Sequence, residues 1–350
     1  MLVLVSFALA TDAAPPPIVN GTTTQDYPQV VTLYSQDSRG YGYNFCSGTL
    51  IHKNWVVTAG HCADAFESNE ADYGYTDHLV VVGYDLSKSA GIQDTARVKS
   101  WTTHPNWDGE NNYYDIAMVE LKTSITSIDP MPVNKTALRA ADVGDDYRYV
   151  GWGITSDKAT DSTKKRTADL PLYEYDSFLQ YAYDPVDDQN VCSGDSGGAG
   201  LEILGDGMFE LQVVNSFVWA INGGNTPCAT GATGGPRIDV YLHWIETFTD
   251  VYSWDEMYGG TDTGTEDTGS GDADTDTDTD TDTDTDTDTD TDTGNGGSEA
   301  PFDDPASPGD VGEDYQTTGL GLCGTPAPTG ALLGVAGLAL ASARRRRRPR

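Results

Sequence analysis

The sequence predicts an all-β domain over residues 18–258 of a chain of 350 residues. Short runs rich in Val, Ile, Tyr and Phe alternate there with Gly, Asn, Asp and Thr, which is the pattern of many short strands joined by turns. After Tyr258 the apolar runs give way to Asp, Thr and Gly, which cannot build a core. The strand pattern fits either a β-sandwich or a β-barrel.

Seven apolar runs are the clearest strand candidates, because β-branched and aromatic side chains fit a half-buried pleated surface. In chain order they are residues 30–34, 45–51, 55–57, 79–82, 116–121, 147–152 and 211–217. The last element of the domain differs, since apolar residues recur at helical spacing between 240 and 249. That stretch predicts a short C-terminal helix.

One serine stands in a glycine-rich run that carries chemistry, residues 192–198, Cys-Ser-Gly-Asp-Ser-Gly-Gly. A serine becomes a strong nucleophile when a base removes its proton and fixed donors receive the oxyanion. The backbone N–H groups of Gly194 and Ser196 are candidates for those donors, and glycine lets the backbone approach a substrate closely. By itself the run would equally fit a tight turn in a β protein.

Three further motifs precede this serine in a fixed order. They are Ile-Val-Asn-Gly from Ile18, Thr-Ala-Gly-His-Cys around His61, and an apolar run that opens at Asp115. Together the four motifs resemble the trypsin/chymotrypsin family of serine endopeptidases, as do Gly-Trp-Gly at 151–153 and residues 236–245. The resemblance extends over about residues 18–249, and it is specific because four motifs must occur in one order.

The resemblance implies two antiparallel six-stranded β-barrels with the site in the cleft between them. It makes His61 the general base, Asp115 the carboxylate that orients it, and Ser196 the nucleophile. Each residue taken alone has an ordinary structural interpretation, and only the combination predicts catalysis. The expected partners are protein or peptide substrates, with no cofactor and no metal, and the expected state is a monomer. A rival hypothesis is an inactive trypsin-like fold that serves as a surface binding module.

Four of the five cysteines match disulfides of this family. The resemblance implies the pairs Cys46–Cys62 and Cys192–Cys228, which would make the domain an exported protein. The alternative is four buried free thiols. Zinc is disfavoured because the cysteines do not occur in close pairs. Cys323 is left without a partner.

Activation in this family joins a free N-terminal isoleucine to the aspartate before the nucleophile. The resemblance assigns these roles to Ile18 and Asp195, and such a buried charge pair can act as a switch. Pro17 precedes Ile18 where relatives usually have a basic residue. We therefore expect another peptidase to trim residues 11–17, or the signal to be cut close to Ile18.

The matched specificity pocket lacks a buried charge. Its base is expected at Asn190, where trypsin-like members have an aspartate, and its wall at Ser216 and Val218. Val218 stands where many relatives have glycine, which predicts a shallow pocket. An Arg or Lys side chain would find no counter-charge there, so we expect cleavage after small or medium apolar residues.

The charge of the chain is strongly acidic and unevenly distributed. The net charge is −35, with 20 acidic residues between 261 and 315 and 6 arginines between 344 and 350. The first 260 residues keep 35 acidic and 14 basic residues, a balance of −21. Nucleic acid is excluded as a partner because phosphate binding needs a basic surface.

Residues 1–17 are expected to be a signal peptide and a short pro-segment. The apolar stretch 1–10 ends in Ala-Leu-Ala, which is typical of a signal-peptide cleavage site, although a charged start is absent. Either the start codon lies further upstream or the signal is weak. A buried strand is the alternative, but it fits badly with the three prolines that follow.

Residues 259–319 form an acidic stalk in this interpretation. Residues 274–293 are an unbroken Asp-Thr alternation whose like charges repel one another, which predicts an extended disordered segment. A calcium-binding repeat would need glycines and apolar residues that this run lacks.

Residues 320–350 resemble the MYXO-CTERM tails of myxobacterial and related surface proteins. Cys323-Gly324 precedes a short apolar stretch, 330–343, and an arginine cluster at 344–350. Arginines after an apolar helix orient that helix in the membrane with its basic end in the cytoplasm. This apolar stretch is shorter than the ~20 residues that a stable membrane span needs. The resemblance implies processing and lipid attachment at Cys323, and hence outer-membrane anchoring at the cell surface. A simple uncleaved membrane tail is the alternative.

Overall fold

The computed structural model describes residues 18–205, 207–221, 228 and 231–259. The predicted signal segment, nearly all of the stalk and the C-terminal tail with Cys323 lie outside the described residues. Across the described ranges, no helix combines the length and the apolar character needed to cross a bilayer.

The first half of the domain is a closed barrel of six antiparallel strands, which follows the two-residue strand β1 (Thr22–Thr23). The barrel strands are β2 (Val30–Gln36), β3 (Gly42–His52), β4 (Trp55–Thr58), β5 (Asp77–Gly83), β6 (Ile92–Thr103) and β7 (Ala117–Leu121). Their order is β2–β3–β4–β7–β6–β5, and β2 closes the ring by pairing with β5. The first barrel of the expected fold is therefore confirmed: the predicted runs 30–34, 45–51, 55–57 and 79–82 lie inside β2 to β5, and the run 116–121 begins one residue before β7.

The second half is a larger sheet with the order β12–β11–β8–β9–β10–β14–β13, to which β1 adds by pairing with β9. Its strands are β8 (Asp146–Gly151), β9 (Arg166–Tyr175), β10 (Leu179–Ala182), β11 (Ala199–Gly205), β12 (Met208–Val214), β13 (Phe217–Ala220) and β14 (Gly231–Pro236). The assigned strands number eight rather than six. Strands β12 and β13 are two parts of one bent segment. If the two are counted as one strand, six strands follow one another in a closed circle that leaves out β1.

The predicted strand 211–217 is wrong at its C-terminal end, because β12 ends at Val214 and β13 begins at Phe217. Asn215 and Ser216 interrupt the ladder between them. Two contacts still hold the bend against β14. Val213 forms an isolated β-bridge with Arg237, the residue after β14, and the Ser216 N–H donates to the Gly234 carbonyl at 3.1 Å. The bend frees the side chains of Asn215 and Ser216 for other contacts, described below.

Among the helices of the described residues are α1 (Gly60–Tyr73), α2 (Ile238–Glu246) and α3 (Trp254–Tyr258). Short 3₁₀ turns lie at Ser89–Gly91, Asn112–Tyr114 and Ala140–Asp142. Helix α2 is the predicted C-terminal helix, starting two residues earlier and ending three residues earlier than 240–249. Helix α1 was not predicted, and it packs Phe66 against Phe45 and Trp101, with ring centroids 5.3 and 4.8 Å apart.

Candidate active site

His61 and Asp115 meet because the first barrel pairs the strands that carry them. Thr58 of β4 lies directly opposite Ala117 of β7. His61 follows Thr58 by three residues at the start of α1, and Asp115 precedes Ala117 by two residues. Both side chains therefore emerge at the same end of the barrel, although Asp115 lies just before the strand rather than opening it.

The Asp115 carboxylate is fully buried and accepts three hydrogen bonds. One oxygen accepts the backbone N–H of His61 at 2.8 Å. The other accepts Nδ1–H of the His61 ring at 2.7 Å and the hydroxyl of Ser216. A carboxylate is only an acceptor, so these contacts fix the ring as the tautomer with its proton on Nδ1. The Nε2 atom is left as the basic nitrogen.

Burial and charge act in opposite directions on this pair. Burial lowers the pKa of His61, but the Asp115 carboxylate outweighs it, helped by the more distant Asp64, and the net pKa lies above its ordinary value of 6.5. Burial raises the pKa of Asp115, but His61 and the three hydrogen bonds reverse this and bring it below 3.8. The aspartate is therefore ionised wherever the histidine can accept a proton.

Ser196 lies in a loop that both barrels hold in place. The backbone N–H of Ser47, in β3, donates to the Ser196 carbonyl at 2.8 Å, and the Ser47 hydroxyl donates to the Gly194 carbonyl at 2.8 Å. From the other side, the backbone carbonyl of Asn215 accepts the Gly197 N–H at 2.7 Å and its backbone N–H donates to the Gly198 carbonyl at 2.9 Å. The side-chain amide of Asn215 donates to the Asp195 carbonyl at 3.3 Å. The serine is thereby fixed relative to both halves of the domain.

Two glycines of this loop cannot be replaced without strain. Gly194 has φ +98°, and a Cβ there would lie 3.0 Å from the Cα of Gly153. Gly197 has φ +79°, and a Cβ there would lie 2.0 Å from Oγ1 of Thr58. Only glycine fits both the left-handed backbone and the close approach. The loop geometry thus explains the Gly-Asp-Ser-Gly-Gly pattern.

The polar groups expected to do chemistry are left unpaired. Within the described residues, the backbone N–H groups of Gly194 and Ser196 donate to no acceptor. The Ser196 hydroxyl oxygen and Nε2 of His61 are buried atoms that likewise have no hydrogen-bond partner in the described ranges. An oxyanion would need the two backbone donors, and proton transfer would need the hydroxyl and the ring nitrogen.

Ser196 and His61 belong to the same site by their shared neighbours. Sγ of Cys62, the residue after His61, lies 3.5 Å from the Ser196 carbonyl oxygen. Ser216, which donates to Asp115, lines one cavity together with Ser196. The structure therefore brings Ser196, His61 and Asp115 together in one site.

The expected cysteine pairs are present as disulfides, Cys46–Cys62 and Cys192–Cys228, with Cα atoms 6.0 and 5.0 Å apart. The first joins β3 to α1 directly beside His61, and the second joins the nucleophile loop to the segment before β14. Cys46, His61 and Cys62 are close enough to hold a metal ion, but both sulfurs are already bonded to each other. This cluster offers no thiolate ligand.

Asp195 is fully buried and points away from the nucleophile. Its two carboxylate oxygens accept the N–H groups of Gly153 (2.6 Å) and Cys192 (2.9 Å). Burial raises its pKa to about 6, against the opposing effects of those two N–H groups and the Arg166 guanidinium. Ile18 is also fully buried, but residues precede it, so its nitrogen is a neutral amide. The expected ammonium–carboxylate pair requires cleavage before Ile18.

A narrow pocket lies beside Ser196, with almost no room for a water molecule. It is lined by Ser216 and Val218 as expected, together with Val191, Cys192, Ser196, Asn215 and Phe217. Asn190 is buried but is not one of these lining residues, and its N–H donates to the Val19 carbonyl at 3.2 Å. Val218 lies opposite Thr233 in the β13–β14 ladder, so the two side chains share one face of the sheet.

Ser47 and Asn215 were missed by the sequence analysis. They hold the nucleophile loop through backbone atoms and short polar side chains, and no motif distinguishes them from ordinary strand or turn residues. The only local signal is position, because Ser47 follows a disulfide cysteine and Asn215 precedes the predicted pocket residue Ser216.

Comparisons with known proteins agree with this geometry. The family model described as Trypsin matches residues 18–245. Chymotrypsin-like elastase family member 1 of Macaca fascicularis is 30% identical over 246 residues, covering 65% of this chain and 88% of the relative. A trypsin of Simulium vittatum is 29% identical over 239 residues, covering 63% of this chain and 91% of the relative. The chain belongs to the trypsin family of serine proteases.

A solved structure shares the fold. The human heparin binding protein matches with a TM-score of 0.52 and 23% identity, covering 65% of this chain and 95% of that protein. At that identity the match concerns the fold alone.

Proposed function

We propose that this protein is an exported, surface-anchored serine endopeptidase that hydrolyses peptide bonds through an acyl-enzyme. One observation carries the proposal. Asp115 holds both the backbone and the ring of His61, while the ring atom Nε2 and the Ser196 hydroxyl remain buried and unpaired. The Asp115–His61 pair has the tautomer and orientation of a general base, and substrate binding would bring the Ser196 hydroxyl into a hydrogen bond with Nε2.

In the first step the Ser196 oxygen attacks the carbonyl carbon of the scissile bond, and its proton passes to Nε2 of His61. The carbonyl oxygen becomes an oxyanion and accepts hydrogen bonds from the N–H groups of Gly194 and Ser196. Asp115 stabilises the imidazolium that forms, and it remains ionised because its pKa is held low. The two backbone donors need no rearrangement, since they have no partner in the described chain.

In the second step the carbon–nitrogen bond breaks and His61 gives its proton to the leaving amine. The acyl group is then an ester on Ser196. A water molecule attacks that ester with His61 again as base, which releases the acid product and restores the serine. Each proton taken from a nucleophile is returned through the same ring nitrogen.

The substrates are proteins or peptides with a small or medium apolar residue before the scissile bond. The cavity next to Ser196 is small and holds no ionised side chain among its lining residues, so a buried Arg or Lys would lose its hydration without compensation. The Val218 side chain lines this pocket and so reduces the space for a substrate side chain. The relatedness to proteins named elastase supports this preference.

Activation follows cleavage before Ile18 by another peptidase, because Pro17 does not suit a trypsin-like activator. The new ammonium would pair with Asp195, whose buried carboxylate forms no ion pair with any of the described residues. The mature enzyme acts as a monomer outside the cell. Its tail holds the chain in the inner membrane until processing near Cys323 transfers it to a lipid anchor in the outer membrane.

Peptide hydrolysis by the Ser196→Ala variant tests the proposal. Removing the nucleophile while leaving the loop intact should abolish nearly all activity, because only one oxygen is lost. Both chains should have the same thermal unfolding midpoint. Equal rates in the two chains would instead favour the rival hypothesis, an inactive fold that serves as a binding module.

A further inference from the structure

Arg166 is a buried cation that the proposed mechanism does not use. It lies at the start of β9, beside β1, and is 2% exposed. One nitrogen donates to the Gly153 carbonyl at 2.7 Å and to the Lys164 carbonyl at 3.1 Å. The other donates to the backbone and the carboxylate of Asp161, at 2.8 and 3.1 Å.

The positive charge of Arg166 is only partly neutralised by these partners. Its ion pair is with Asp161, whose side chain is 44% exposed and therefore well solvated. The Nε–H group of Arg166 is buried and has no acceptor among the residues that the structure describes. A buried guanidinium with an unpaired donor and one solvated counter-ion acts on other charges nearby.

Besides Asp161, the charge that acts on Arg166 is the carboxylate of Asp195, and a single residue connects the two. Gly153 donates its N–H to Asp195 at 2.6 Å and offers its carbonyl to Arg166 at 2.7 Å. One residue spans at most ~3.6 Å, so the guanidinium and the carboxylate lie within roughly 9 Å of each other along this path. Both groups are buried, so the solvent between them screens little.

We propose that Arg166 substitutes in part for the N-terminal ammonium before cleavage, and so keeps the nucleophile loop organised in the uncleaved chain. The inference rests on the proposed function. In the uncleaved chain Ile18 has no charge, yet Asp195 already points at Gly153 and Cys192 rather than at the nucleophile. Arg166 is thus a positioning residue, and the precursor has a low basal peptidase activity that depends on it.

The test uses the full chain with a specific-protease site placed directly before Ile18, so that one preparation gives the uncleaved and the processed forms. The readout is hydrolysis of one apolar peptide substrate by each form, with the N-terminus checked by intact mass. We expect the uncleaved wild type to be slower than the processed form but measurably active. Arg166→Gln should lower the rate of the uncleaved chain by at least about tenfold, because a charge interaction worth one pKa unit corresponds to a factor of ten. It should lower the processed rate by less than about threefold, since the ammonium then serves Asp195.

Two variants separate charge from packing. Arg166→Lys keeps the cation and should restore most of the uncleaved rate. Arg148→Gln removes another partly buried arginine of the same sheet, one that binds Asp169 and Tyr27 rather than Gly153. It should leave the ratio of the two rates unchanged.

An inactive uncleaved wild type would overturn the inference, and so would equal proportional losses in both forms of Arg166→Gln. An inactive processed wild type would instead refute the proposed function. The two failures are therefore distinguishable.

Discussion

Replacing Asp115 by asparagine isolates the role of its negative charge. Asparagine has the same shape but carries one N–H₂ group in place of one oxygen. The backbone N–H of His61 is an obligatory donor, so the amide oxygen must remain on the side that accepts it. The N–H₂ group then faces Nδ1 of the ring, where the carboxylate accepted a hydrogen bond at 2.7 Å.

The expected loss follows from this geometry. Nδ1 must become an acceptor, which moves the ring proton to Nε2, the atom that should take the proton from Ser196. The base is then in the wrong tautomer, and the imidazolium also loses its counter-charge. We expect kcat to fall about 10⁴-fold near neutral pH, or roughly 5.5 kcal/mol of transition-state stabilisation, with little change in KM.

The assay is steady-state hydrolysis of an apolar peptide between pH 5 and 9. In the wild type, activity should rise with pH through the pKa of His61, which lies above 6.5 because of Asp115. In Asp115→Asn the pKa of His61 should fall. The control is Asp64→Asn, which removes a carboxylate that influences His61 without a hydrogen bond to the ring and should cost only a few-fold. A loss below tenfold in Asp115→Asn, or equal losses in both variants, would refute the reasoning.

Three further predictions concern activation, specificity and anchoring. Burial raises the pKa of Asp195 to about 6 in the uncleaved chain. The unfolded chain therefore ionises this group at a lower pH than the folded chain does, and the free energy of unfolding falls by about 3 kcal/mol between pH 4 and 7. A free Ile18 ammonium removes that penalty, so the difference in unfolding midpoint between processed and uncleaved chains should grow over this range, and calorimetry that finds it constant would contradict the assignment. Val218→Gly should widen the pocket and raise the ratio of kcat/KM for phenylalanyl to that for alanyl substrates by at least about tenfold, which is the gain from burying about two more methylene groups. An unchanged ratio would show that Val218 does not form the pocket wall. Cys323→Ala should leave an unprocessed precursor in the inner membrane, and mass spectrometry that finds residues 344–350 on wild-type surface protein would favour the uncleaved membrane tail.

The residues that meet at the candidate site were easier to predict from the sequence than the sheet that supports them. The motifs around His61, Asp115 and Ser196 are short and local, and each is constrained by the contacts that its backbone must make. Gly194 and Gly197 illustrate this, since their positive φ values and close neighbours permit no other residue. A short motif of this kind is visible without knowledge of the fold.

The strands of the second half were harder to predict because tertiary contacts override their local patterns. Strand β14 is Gly231–Pro236, a glycine-rich run without strand propensity that pairs on both sides. The apolar run 211–217 looked like one strand, yet Asn215 and Ser216 bend out of it to hold the nucleophile loop and Asp115. Helix α1 lacks a capping side chain, and its buried face becomes apparent only when β3 and β6 pack against it.

Positioning residues outside the motifs escaped prediction for a related reason. Ser47 contacts the backbone of Gly194, 147 residues away, so this contact becomes visible only once the two halves are assembled. Arg166 contacts the backbone of Gly153 across the loop between β8 and β9, and no motif in that loop indicates the contact.

The central claim is that the Ser196 oxygen is the nucleophile, and covalent labelling tests it most directly. The processed chain should react with one equivalent of a fluorophosphonate, and peptide mass spectrometry should locate the adduct on Ser196 rather than on Ser193, three residues earlier in the same loop. Labelling should follow the same pH dependence as peptide hydrolysis. A processed, correctly disulfide-bonded chain that remains unlabelled, or that carries the adduct on another residue, would contradict the account.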